Sequence, residues 1–136
     1  MSTELPARPV AASSASPARP LAMGAARALL LLVGLFTTAG ATYFTIFASP
    51  EQGGVTQPVD WFLGGWAMTM GIGLLFAVAR LGQSASLRAV RLTAALVGAH
   101  IVFSVIKLIG YGESEVVTVL AVDFVILGLL AASRHP

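Results

Sequence analysis

The sequence predicts an all-α integral membrane protein, a four-helix bundle with cytoplasmic N and C termini, and three observations predict it. First, the 136 residues are 57% hydrophobic and 10% charged, with a mean hydropathy of +0.87, which leaves too little polar surface to cover a soluble fold. Second, four apolar runs, Ala25–Phe47, Trp61–Ala79, Leu92–Ile109 and Val116–Ala132, approach the roughly 17–25 residues that carry a helix across about 30 Å of hydrocarbon. Third, every arginine falls before or at the very start of the first run, between the second and third, or after the fourth. A barrel would alternate apolar and polar positions over about 10 residues, and these runs do not.

Residues 1–22 come first. Pro6, Pro9, Pro17 and Pro20 stand there among Ala, Ser and Arg, a mixture with too little bulky apolar surface to pack, and it reads as a disordered cytoplasmic tail. The span domain then covers 23–134. Arg27 followed by Ala28–Phe36 and the small residues Thr37–Ala41 also has the outline of a signal peptide. Against cleavage, the apolar stretch continues through Tyr43, Phe44, Ile46 and Phe47.

Arg8 and Arg19 precede the first span and Arg27 stands at its start, Arg80, Arg88 and Arg91 lie between the second and third, and Arg134 follows the fourth. The other two loops carry Glu51, Asp60, Glu113 and Glu115 and no Lys or Arg, so the positive-inside bias places both termini in the cytoplasm. The formal charge of +2 is accordingly a topology signal, and no nucleic-acid partner is expected. The bilayer is the first partner the composition implies.

Short connections at Leu81–Leu87 and Gly110–Glu115 set the second helix beside the third and the third beside the fourth. The longer loop Ala48–Asp60, with Pro50, Gly53, Gly54 and Pro58, is the candidate external loop. Tyr43, Phe44 and Phe47 and, across that loop, Trp61 and Trp66 have the placement of interfacial anchors. Small residues at four-residue spacing, Gly34, Thr38 and Thr42, then Ala67 and Gly71, then Ala94 and Gly98, give each of three helices a face for close backbone contact.

Polar residues inside the spans carry the functional signal. Asp123 interrupts a run of Val, Leu, Ile, Ala and Phe, where a lipid-facing carboxylate costs at least about 2.5–3.5 kcal/mol. It should face the bundle and pair with Lys107 or His100, or else be protonated. His100, Ser104, Lys107 and Tyr111 share a face of the third helix. Asp123, His100, Lys107, Ser104 and Tyr111 are thus the candidates for binding or proton relay. They serve either a structural network in which Lys107 neutralises Asp123, or a polar site open to the outer side.

The chain has no cysteine, which removes thiol chemistry, iron–sulfur ligation and thiolate zinc sites. His100 is the sole histidine within a span, so no bis-histidine haem forms within one chain, and neither metal nor cofactor is expected. Only one acid lies in the membrane, where an enzyme would need an activated nucleophile or paired acids. Four-span exporters of the small multidrug resistance type carry their acid in the first helix. Here that helix offers only Thr37, Thr38, Thr42 and Thr45 as polar groups.

Gly64-Gly65 through Gly71-Ile72-Gly73, the turn Lys107–Gly112 and the acid Asp123 together resemble the layout of small bacterial four-span membrane proteins of the DoxX-like and BphX-like groups. The resemblance covers Ala25–Ala132 in outline and implies a link to a membrane redox or stress-response partner. With the Ala- and Arg-rich, nearly Lys-free composition, it implies a bacterial inner (plasma) membrane. The function expected is that of a non-catalytic accessory or interaction subunit, with a membrane-protein partner or a second copy. The alternative is a small carrier or lipid-binding protein using Asp123, His100 and Lys107.

Overall fold

A computed structural model describes residues 18–134. Four helices follow one another, α1 (Ala18–Thr42), α2 (Pro58–Gln83), α3 (Leu87–Tyr111) and α4 (Val116–Arg134). Each is long and apolar enough to cross a membrane. In the predicted tail, residues 1–17 lie outside the described residues, as does His135. The tail's last five residues are instead the start of α1, because Pro20 sits in the first helical turn, where its missing N–H leaves no bond unmade.

The helices outrun the apolar runs that announced them because capping groups, and not hydropathy, stop them. Pro58 opens α2, and Gln57 and Asp60 cap its first turn reciprocally. Asp60 Oδ2 accepts from the backbone N–H groups of Thr56 and Gln57, both at 3.0 Å. Ser86 caps α3 by accepting from the Ala89 N–H at 3.2 Å. Gly112 ends α3 in the left-handed conformation, φ 64°, which a side chain would strain. α1 runs into a π-helical turn, Tyr43–Phe47, closed by the Ala48 N–H donating to the Tyr43 carbonyl at 2.8 Å. A short 3₁₀ turn, Pro50–Gln52, follows in the loop.

α1 packs on α2 and α4, and α3 packs on the other side of both, so the four form a closed ring in which α1 faces α3 across the diagonal. The buried residues recur every three and four positions: Ala26, Leu30, Val33 and Thr37 on α1; Leu63, Ala67, Met70, Leu74, Ala77 and Leu81 on α2. Val90, Thr93, Val97, His100 and Ser104 continue the pattern on α3, and Asp123, Ile126 and Leu130 on α4. This 3.5-residue repeat is the seam of interlocking antiparallel bundles.

The contact between α1 and α2 is the closest. A Cβ added at Gly71 would fall on Thr38 Oγ1 and 2.8 Å from the Thr38 backbone N, one at Gly64 on Thr45 Oγ1, and one at Gly34 within 3.3 Å of the Gly71 carbonyl oxygen. The expected small-residue faces of α1 and α2 therefore meet each other. On α3, Ala94 packs against the core but nothing stands within 4 Å of a Cβ at Gly98.

Gly71→Ala should lower the unfolding free energy in detergent by about 1–3 kcal/mol, since Thr38's backbone cannot yield to a methyl group. Gly98→Ala should not lower it. Thermal or denaturant midpoints of the two variants measure the contrast.

Candidate functional site

The buried stripes bring three polar side chains to the bundle axis. Asp123 on α4 is 0% exposed and His100 on α3 2%. His100 Nδ1 lies 2.6 Å from Asp123 Oδ2. On its other side, His100 Nε2 lies 3.1 Å from Thr37 Oγ1 of α1. One imidazole thereby bridges the diagonal of the ring and ties three helices together. At about 1.5 Å per residue it sits roughly 10–17 Å inside the end formed by the α3–α4 turn.

Three proton arrangements satisfy both contacts, one of them a protonated Asp123 donating its O–H to Nδ1 of a neutral imidazole whose Nε2–H donates to the Thr37 oxygen. A neutral imidazole donates from Nδ1 to the carboxylate and accepts the Thr37 O–H at Nε2. An imidazolium donates from both nitrogens, to Asp123 and to the Thr37 oxygen. Asp123 Oδ1 is buried with no hydrogen-bond partner among the described residues, and so is Thr38 Oγ1. An unmade bond of this kind costs about 1–3 kcal/mol. The imidazole plane stacks on Phe103 at a 6.4 Å centroid distance. Phe103 meets Trp66 edge-on at 5.9 Å, and Trp66 meets Phe62 at 6.1 Å, so an aromatic chain leads from the buried ring to the exposed Phe62.

Of the five candidates read from the sequence, the structure keeps His100, Ser104 and Asp123 together in the interior. Ser104 is buried one turn from His100 on the same face. Lys107 and Tyr111 stand apart from them. The Lys107 ammonium lies 3.0 Å from Glu113 Oε1 and 4.6 Å from the centre of the Tyr111 ring. The expectation that Lys107 neutralises Asp123 is therefore corrected. A lysine one turn from the helix end reaches an acid in the adjoining turn without giving up water, whereas reaching Asp123 would bury its charge.

Thr37 is the member that the sequence reading did not place in the cluster. Its signal is positional: it continues the Ala26, Leu30, Val33 stripe of buried α1 positions. Trp66, read as an interfacial anchor, is half-buried against Phe103. Among the described residues no three His, Asp or Glu side chains converge as a metal site would require.

No protein-family model, curated protein or solved structure matches the chain. The geometry itself supports a stabilising clasp in which each buried ionisable group is the other's partner.

Asp123→Leu alone leaves His100 Nδ1 buried without its partner and should cost about 1–3 kcal/mol, whereas Asp123→Leu with His100→Leu should cost less than the sum of those two changes made singly. Lys107→Leu should cost no more than about 1 kcal/mol, as its partners are partly exposed. A double-mutant cycle read by denaturant unfolding in detergent checks both.

Proposed function

We propose that this chain is a non-catalytic integral protein of a bacterial inner (plasma) membrane, an accessory or interaction subunit with four spans and cytoplasmic N and C termini. One observation carries the reading: the acid and the imidazole within the apolar interior are paired with each other at 2.6 Å and sealed from the surface. A group so buried cannot meet a substrate without the bundle opening. The exterior supports a membrane location, since Leu32, Phe36, Phe76, Ile109, Phe124 and many other large apolar side chains are exposed, far more than a water-soluble surface tolerates. Such a surface fits lipid, and it equally fits the helices of a partner protein or of a second copy.

The orientation rests on charge. Arg27, Arg80, Arg88, Arg91 and Arg134 belong to the end of the bundle where α1 starts and α4 stops, and Lys107, paired to Glu113, is the lone basic residue toward the other end among the described residues. The positive-inside bias makes the arginine end cytoplasmic. The similarity in layout to DoxX-like and BphX-like proteins supports a membrane-bound protein partner for this subunit.

A second reading, a small carrier or ligand binder, is favoured by one specific observation, the unpartnered Oδ1 of Asp123. In that reading the acid accepts a proton or a donor group when the bundle opens, with His100 and Thr37 as relay partners.

Purification at native abundance in mild detergent, followed by mass spectrometry of retained proteins and lipids, separates the two. A stoichiometric membrane-protein partner that persists in Asp123→Asn is the expected outcome. A small molecule held by the natural chain and lost from a folded Asp123→Asn variant would establish the carrier reading instead.

A further inference from the structure

α2 and α3 meet less closely than any other neighbouring pair in the ring. A groove of about 540 Å³ runs between them at the arginine end, lined by Gly73, Phe76, Leu92 and Leu96 along its length and by Arg80 and Arg88 at its mouth. Phe76 and Leu92 expose their side chains along it. Neither arginine forms an ion pair with a carboxylate among the described residues.

We propose that this groove holds one acyl chain of an anionic phospholipid, with the lipid phosphate on Arg80 and Arg88. The inference rests on the membrane reading above. In that reading the two guanidinium groups stand at headgroup depth in the cytoplasmic leaflet, and the apolar floor runs inward from them along the hydrocarbon. Volume, polarity gradient and charge then match one occupant. An acyl chain fills an apolar groove, and a planar guanidinium pairs with a phosphate through two parallel N–H donors. Basic pockets between helices on the cytoplasmic side select anionic headgroups on the same grounds. An apolar partner helix would leave both charges unanswered. Gly73 lines the groove beside Leu96, whose Cδ2 is 3.4 Å from where a Cβ would stand, an ordinary contact distance.

The test uses the full chain in detergent micelles, titrated with phosphatidylglycerol or with phosphatidylcholine of identical acyl chains and read by native mass spectrometry. The expected result is preferential retention of phosphatidylglycerol, weakened about tenfold or more in Arg80→Gln with Arg88→Gln and unchanged in Arg91→Gln, whose side chain does not line the groove. Equal retention of the two lipids, or an unchanged double variant, overturns the inference. A photoactivatable phosphatidylglycerol, with the reactive group on its acyl chain, tests the natural chain without any substitution. Labelling concentrated on Phe76, Leu92 and Leu96 supports the site, and labelling spread evenly over the outer faces of all four helices overturns it. Alkaline carbonate extraction separates the two levels. A chain that leaves the membrane refutes the membrane reading and the inference with it, whereas a chain that stays and shows no headgroup preference refutes the inference alone.

Discussion

A polar group placed in an apolar interior must find its partner inside the protein, and one imidazole meets that requirement for the whole bundle. His100 reaches Asp123 on a neighbouring helix and Thr37 across the diagonal, so α1, α3 and α4 can adopt only the rotation and height at which these atoms meet. The apolar stripes leave more freedom, because leucine and valine pack acceptably in several registers spaced by one heptad. A directed contact of 2.6 Å does not. The pair thus contributes to uniqueness of fold at least as much as to its stability, since replacing a buried ion pair by apolar groups is often neutral or favourable in free energy.

The packing on either face of α2 is unequal, and its glycines explain the inequality. Gly64 and Gly71 face α1, where Thr45 and Thr38 occupy the volume their side chains would take. Backbones that approach this closely gain dispersion contacts and need no water release to associate, which suits helices surrounded by lipid. Gly73, two residues along and so on a different side of the helix, faces α3, where Leu96 stands 3.4 Å from an added Cβ, in ordinary contact and without the overlap met at Gly64 and Gly71. The same residue type is required by close contact on one side and would admit a methyl group on the other.

Much of this was legible in the residues. Run length and composition set the number of helices, the short turns set their neighbours, and the cost of a lipid-facing carboxylate directed Asp123 inward, with His100 one of its two expected partners. The choice between those partners was not legible, because it turned on Glu113, an acid in the turn whose competition for Lys107 depends on where α3 stops. Thr37 was obscured by three other threonines on the same helix, and only its place in the buried stripe distinguishes it. Helix ends were misread by up to seven residues at Ala18, since capping by Ser86 or Gly112 and the tolerance of Pro20 in a first turn leave little trace in hydropathy. The spacing of α2 and α3 was also beyond reach, because whether a glycine admits a neighbour or leaves a gap is a property of the pair.

The π-helical turn at Tyr43–Phe47 divides the first helix into two segments of different phase. Counting on from Thr37 at the heptad interval, position 44 would point inward, yet the buried residue is Thr45, and Phe44 is half-exposed. One extra residue in the turn rotates everything beyond it by about 100°. The rotation delivers a small threonine to Gly64, where an aromatic ring would force α1 and α2 apart, and it swings that ring to the periphery. The loop that follows inherits the offset. Its position over the end of the bundle is consequently set by a single-residue dislocation in a helix that, by composition alone, reads as one continuous span.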